Sequence, residues 1–507
     1  MTDYDLAIIG GGLNGVSLAR DAAGRGLRVV LFEQGDLGGG ASSATSGLVH
    51  GDLAALERRS LLRVRAALAE RDIWLRIAPH LVRPARFAIP ALAGERPPWQ
   101  LRSALWLYDR LASRASLPTA ATLDVTHHPL GNALQRPIGT AFEYSDCLVD
   151  DSRLVVLTAR DAADRGADIR TGARCVRADR DGIWRLAVID RGYRRVVTAR
   201  ALANATGAWS ASTAETILRQ PSPRLTIMQM SQIVVPRLFE VDAVYVFQNS
   251  DGRLIFASPY YRDFTLIGTA TRAFTGDPSI VATPAADVAY LCAAANRYFR
   301  VQIQPVDVLR GVSGANMGQA GRADAAVLSD ISRFDARRGQ APLLSMSGGD
   351  ATMARRRAER AISRLAPFCP MAPRWTAKTP LPGGDFAWDR FDDEVEAARE
   401  RWRFLTEPEA QRLVGAHGRR LPQVLGNARS RADLGQSFGA DLTEAEVRYL
   451  MAHEWARFPD DILWRRSKLG LTMAPAQRET LAAFMAKSAA RQVGYSLPGI
   501  PEGSCAL

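Results

Sequence analysis

Six residues near the N-terminus, Gly10-Gly11-Gly12-Leu13-Asn14-Gly15, limit the fold more than any other feature of the chain. They follow an apolar run, Leu6-Ala7-Ile8-Ile9, and open a segment with helical apolar spacing at Val16, Leu18, Ala19, Ala22 and Ala23. Residues 28–33 then read as a second strand ending in an acid, Glu33. Strand, glycine turn, helix, strand and acid in this order make a dinucleotide-binding unit. Gly10 permits the tight turn, Gly12 lets a pyrophosphate approach the backbone, and Gly15 lets the helix lie on the sheet. The helix start at Leu13 and Asn14 offers free N–H groups and a positive dipole end to the phosphates. Glu33, with Gln34 beside it, is placed to accept hydrogen bonds from ribose hydroxyls.

Two later stretches return to the same nucleotide. Ala203-Asn204-Ala205-Thr206-Gly207-Ala208-Trp209 follows an apolar strand and resembles the second flavin motif of two-dinucleotide-binding-type flavoproteins, in which Val176, on the strand of residues 173–178, suits the adenine contact. Leu343-Leu344-Ser345-Met346-Ser347 again runs into glycines, Gly348-Gly349-Asp350. Three returns to one site imply FAD. The expected fold class is α/β: a Rossmann-like FAD-binding domain from residues 1–75, 140–215 and 305–370, and an antiparallel-sheet substrate or cap domain from 76–139 and 216–304. An all-α domain follows over 375–507. Short apolar runs at 232–236, 244–247, 254–257 and 265–268 predict an antiparallel meander in the cap. Helices are predicted over 394–404, 408–415, 443–455, 461–469 and 474–493. The run Arg355-Arg356-Arg357 reads as a solvated helix face.

The chain's 507 residues suit several domains, and 47% hydrophobic with 23% charged residues is an ordinary globular composition. Lysine plus arginine (65) exceeds aspartate plus glutamate (53), giving a net charge of +12. The arginines are scattered, with no basic-aromatic stripe, so nucleic acid is not an expected partner. Cys147, Cys175, Cys292, Cys369 and Cys505 form no C-x-x-C pair, which predicts reduced thiols and no metal site. Without a secretion signal or an apolar run of ~18 residues, the expected location is cytoplasmic or peripheral to the inner face of the membrane.

Beyond the flavin motifs, the chain is similar over nearly its whole length to the membrane-associated, FAD-dependent glycerol-3-phosphate dehydrogenases. The similarity rests on Ala41-Ser42-Ser43-Ala44-Thr45-Ser46 with Leu48-Val49-His50-Gly51, on Phe142-Glu143-Tyr144-Ser145-Asp146-Cys147 with Val149-Asp150-Asp151, and on Gly268 with Gly276-Asp277-Pro278. A further stretch is His453-Glu454-Trp455-Ala456-Arg457 with Asp460-Asp461-Ile462-Leu463-Trp464-Arg465-Arg466. The resemblance implies that the serine stretch (Ser42, Ser43, Leu48) and the glycines with Thr352 wrap the flavin.

The chain departs from the family where substrate is held. The family's arginine and tyrosine after His-Gly-Gly-Leu fall on Ala54 and Ala55, its histidine before Ile-Val-Val-Pro on Gln232, its arginine of Ser-Gly-Val-Arg-Pro on Ser313, and its lysine after Gly-Gly on Asp350. Gly47 and Thr271 replace a further lysine and aspartate. A charge-assisted hydrogen bond contributes roughly 1.5–3 kcal/mol, so losing two arginines and a lysine weakens phosphate binding by about 10³-fold or more. The expectation is a re-purposed pocket accepting a small molecule without phosphate, with Asp350 facing an amine or hydroxyl and His50 or Tyr260 moving the proton. Alternatives are ordinary glycerol 3-phosphate oxidation anchored by Arg253, Arg272 or Arg322, with quinone or oxygen as acceptor, and a silent flavoprotein acting as a partner subunit. Peripheral membrane contact and a homodimer are left open.

Overall fold

The computed structural model describes residues 2–57, 60–91, 97–112, 117–135, 139–222, 226–249, 251–318 and 331–494. Strand β1 (Tyr4–Ile9), helix α1 (Leu13–Gly24) and strand β2 (Val29–Glu33) form the expected N-terminal unit. Strands Leu343–Ser347 and Tyr193–Asn204, β1, β2 and strand Asp168–Thr171 lie side by side and run parallel. Such a sheet is covered on both faces, which is why β1 is apolar at consecutive positions. Leu6 and Ile8 pack with α1 and helices Asp151–Asp164 and Ala354–Ser363. Ala7 and Ile9 point the other way, into a core completed by Trp184 and Leu186 of the hairpin Ala173–Arg180 and Trp184–Asp190.

Among the described residues the second sheet has nine strands, eight of them in the order Arg310–Gly318, Thr226–Pro236, Phe264–Phe274, Leu254–Tyr260, Ala243–Gln248, Val82–Pro90, Thr140–Val149 and Leu48–Val49, with Ala121–Asp124 paired to Thr140–Val149. Two expectations are corrected here. Thr226–Pro236 pairs with Phe264–Phe274 and Arg310–Gly318 and not with Ala243–Gln248, so only the next three strands form a meander. Strands Leu48–Val49, Thr140–Val149 and Arg310–Gly318, expected in the flavin domain, also belong to this sheet. An apolar alternating run defines a strand but not its partner. Along these strands Ile233, Val235, Ala257 and Ile267 pack toward helix Ala285–Asn296, while Val234, Leu266, Tyr260 and Val312 face the opposite way.

Helices Phe391–Arg401, Glu407–His417, Glu444–His453 and Pro475–Gly494 surround a separate core that includes Trp402, Leu413, Leu450, Leu463 and Leu481. Thr406 and Glu409 form a reciprocal cap at the start of Glu407–His417. A short hairpin, Ser437–Gly439 with Leu442–Thr443, was not expected among these helices. Buried ion pairs tie this region to the flavin sheet: Arg153 with Glu454, and Arg466 with Asp36. Among the described residues no helix is long and apolar enough to cross a membrane.

Candidate functional site

A cavity of about 770 Å³ opens at the ends of β1 and β2, where ligands bind in open α/β sheets. Gly10, Gly12, Leu13 and Asn14 line it, with Glu33 and Gln34 beyond them. Gly10 has φ +108°, and a Cβ there would stand 2.5 Å from the Ala205 carbonyl oxygen. Glu33 accepts from the amides of Gly11 (2.6 Å) and Gly35 (2.8 Å). Burial pushes its carboxyl upward, and these backbone donors oppose that shift. A carboxylate has about four lone-pair sites, and the Gln34 backbone is a third donor, so one is left for a ribose hydroxyl. Val176 stands at an irregularity in the pairing between Cys175 and Arg177 and lines the cavity, as do Ala205, Thr206, Gly207 and Trp209. Ser42 also lines it, and its Oγ accepts from the Leu13 amide at 3.0 Å.

The far end lies against the second sheet and is lined by Thr45, Asn316, Gly348, Gly349 and Asp350. Asn14 Nδ2 donates to the Gly348 carbonyl at 3.1 Å, and Arg357 donates to the same carbonyl (3.0 Å), to Asn14 Oδ1 (2.8 Å) and to the Asp350 carbonyl (3.1 Å). A Cβ on Gly349, at φ +79°, would fall 1.0 Å from Arg357 Nη1, so only glycine fits beside this guanidinium. The Asp350 carboxylate accepts from the Met353 amide at 2.8 Å and lies 3.6 Å from Arg63. Arg63 Nε also donates to Asp52 at 2.7 Å. Two carboxylates therefore share one guanidinium, and Asp350 is not the lone charge the sequence suggested. Arg63, Asp52, Asn316 and Arg357 were missed by sequence reasoning; Asp52, a charge in a place where the family has glycine, was the signal available.

Several expected residues lie elsewhere. Gly15 serves packing, because a Cβ there would strike the Gly10 carbonyl oxygen at 1.9 Å. Ser43 donates to the Gly38 carbonyl at 2.7 Å and faces a different cavity. Leu48 is buried in the cap core. Thr352 Oγ1 accepts from the His50 amide at 3.1 Å and is buried, so it holds the His50 segment without lining the flavin cavity. His50 does not line it either: its Nδ1 accepts from the Asp52 amide at 3.0 Å. Tyr260 and Gln232 line the other cavity, and Gln232 Nε2 donates to the carbonyls of Thr45 (2.7 Å) and Ala44 (3.3 Å). Ala55 is buried in the cap core, and the Ala54 side chain lies outside the described residues, as does Arg322. Arg253 pairs with Asp251 at 3.5 Å and lies over the Tyr290 ring, away from both cavities.

Ser313 is likewise corrected. It bonds to Ser231 (3.0 Å) and Thr283 (2.8 Å), whereas Asn316 on the same strand reaches the cavity. Matching Ser-Gly to Ser313-Gly314 also moves the family's arginine position onto Asn316. The arginine run is not solvated: Arg355 is buried against Glu70 and Glu359, and Arg357 is buried at the cavity wall.

Residues 5–328 match the family described as FAD dependent oxidoreductase, and 374–496 match the C-terminal domain of alpha-glycerophosphate oxidase. The chain is 42% identical over 490 residues, 95% of both chains, to a glycerol-3-phosphate dehydrogenase of Pseudomonas aeruginosa. It is 40% identical over 488 residues to a D-erythritol 1-phosphate dehydrogenase of Brucella abortus, covering 95% of this chain and 97% of that one. It shares the fold of the glycerol-3-phosphate dehydrogenase from Bacillus halodurans complexed with FAD, with TM-score 0.74 and 22% identity over 96% of this chain and 90% of that one. At such identities over nearly the full length, the chain belongs to the FAD-dependent oxidoreductase family and, within it, to the glycerol-3-phosphate dehydrogenases, with FAD as cofactor.

Proposed function

We propose that this oxidoreductase acts on a small alcohol or amine that carries no phosphate. The observation behind this reading is the charge at the far end of the flavin cavity, where Asp350 lines the wall and shares Arg63 with Asp52 behind it, and Asn316 stands in the position of an anion-binding arginine. Two carboxylates about one guanidinium leave a net negative charge, which repels a phosphate and suits an ammonium or a hydroxyl. In this reading Gly10, Gly12, Leu13 and Asn14 hold the pyrophosphate, Glu33 and Gln34 the ribose, Val176 the adenine, and Ser42, Gly348 and Gly349 the flavin end. Bound FAD supplies the hydride acceptor. Arg357 fixes the Gly348–Asp350 backbone from behind, so the Asp350 carboxylate meets substrate at a set position.

Anaerobic stopped-flow bleaching of the flavin with unphosphorylated polyols and amines, against glycerol 3-phosphate and D-erythritol 1-phosphate, tests this. Reduction by an unphosphorylated compound at a rate on the order of 10 s⁻¹ is expected, with the phosphates at least 100-fold slower. The second reading, oxidation of a polyol phosphate, draws on the full-length identities to enzymes of that kind. It becomes the better one if either phosphate bleaches at that rate. Quinone or oxygen takes the electrons in both readings, and oxygen consumption against quinone reduction separates them.

A further inference from the structure

A second cavity, of about 330 Å³, lies where the second sheet, the start of helix Asp151–Asp164 and the helical C-terminal region meet. Its charged groups are already paired with one another. Lys468 Nζ lies 3.5 Å from Asp151 and 3.7 Å from Asp150. Arg412 forms a two-point pair with Glu446, Arg466 pairs with Asp36, and Arg262 lies 3.6 Å from Asp441. Arg83 and Asp242, one charge of each sign, are exposed at the rim. Two carboxylates about Lys468 leave one negative charge in excess, which repels an anion, and a hydroxyl suits such a site without the desolvation cost of a full charge.

Apart from single buried N–H groups of Arg262, Arg412 and Arg466, the uncommitted groups are neutral. Among the described residues the hydroxyls of Ser46, Ser258 and Tyr260 make no hydrogen bond, and Gln232 uses only its Nε2, leaving Oε1 free. Burial pushes the Tyr260 phenol above its ordinary value of 10, so it stays protonated and able to donate. Leu148, Leu266 and Val312 supply an apolar wall. Hydroxyls that both donate and accept, one amide acceptor and a wall for C–H groups together match a ligand with alternating hydroxyls on a short carbon chain.

The cavity is also wired to the flavin site. Thr45 lines both cavities. Its amide and hydroxyl donate to Asp151 at 3.1 and 3.0 Å, and its carbonyl accepts from Gln232. A ligand bonded to Gln232 or displacing Lys468 from Asp151 would move this residue. We propose that the second cavity binds a neutral, hydroxyl-rich small molecule, a short polyol, and transmits its occupancy to the flavin cavity through Thr45.

The inference is independent of the substrate assigned above, and the experiment keeps the two apart. Oxidised, FAD-loaded enzyme is titrated with glycerol, erythritol and ribitol and read by calorimetry and by the flavin difference spectrum. One saturable site in both readouts is expected for at least one polyol that does not bleach the flavin. Tyr260→Phe and Ser258→Ala should each weaken binding about 3- to 10-fold, the loss of one hydrogen bond, with unchanged flavin content. Asp350→Asn, in the other cavity, should leave the affinity as it is. Calorimetric silence across the panel overturns the site. So does an affinity that falls in Asp350→Asn but not in Tyr260→Phe or Ser258→Ala, because the polyol would then sit in the flavin cavity. Binding with a flat flavin spectrum overturns the Thr45 link. Bleaching of the flavin bears only on the substrate reading.

Discussion

Asp350 and Arg63 show how one residue's meaning depends on its partner. Alone, a carboxylate in place of a lysine reads as an anion-repelling charge; with Arg63 at 3.6 Å it is partly neutralised, and Asp52 draws the same guanidinium away at 2.7 Å. Replacing Asp350 with asparagine leaves Arg63 with one carboxylate and frees donor capacity toward the cavity. Asp350→Asn should therefore tighten sulfite or phosphate binding roughly 10- to 100-fold, the worth of one charge-assisted hydrogen bond. Arg63→Met should abolish the gain when combined with it. Flavin absorbance titrations on the three proteins measure this directly, and identical anion affinities would place the cluster outside the anion's path.

At the scale of an element, the turn after strand Leu343–Ser347 bears the sharpest steric demand near the cavity. Gly349→Ala puts a methyl group where Arg357 lies and forces that side chain off Gly348, Asn14 and Asp350. The purified variant should carry well under one flavin per chain, as judged by the ratio of flavin to protein absorbance. Gly26→Ala offers the contrast. Its φ is +87°, yet nothing lies within 4 Å of the added carbon, so it should cost only the ordinary left-handed penalty of roughly 1–2 kcal/mol and keep its flavin.

The whole molecule is joined by buried charges. The Arg466 side chain is fully buried on Asp36, which also binds Arg465, a residue of the flavin cavity wall. Asp36→Ala strands the buried Arg466 guanidinium, while Arg465 keeps Asp461, and should destabilise the protein by about 3–5 kcal/mol, with flavin released before the main melting transition in a thermal scan followed by flavin fluorescence. His80 adds a pH term. Burial, together with the nearby Arg153 and His417, lowers its pKa from 6.5 to about 3, and neither ring nitrogen has a partner among the described residues. The unfolded chain takes up a proton below pH 6.5 that the folded chain refuses, so stability is complete above that pH and falls as pH drops toward 3. Urea midpoints at pH 7 and pH 5 should differ less in His80→Leu than in wild type; an equal difference would assign the slope to other groups.

The dinucleotide unit was legible from sequence because everything it needs is local. Apolar runs, a glycine turn, a helix start and an acid fall within the first 33 residues, and steric and dipole effects act over just that range. The helices of the C-terminal region were legible for the same reason: their 3.6-residue periodicity is internal to each segment. Tertiary structure alone decided which face each strand residue takes, turning Ser313 toward Ser231 and Thr283 and Asn316 toward the flavin cavity, since a period of two is silent about its phase. It also decided which charges are spent. Asp350 meets Arg63, and Arg355 and Arg357 are buried, because partners distant in the chain are brought together only when the sheets and helices pack.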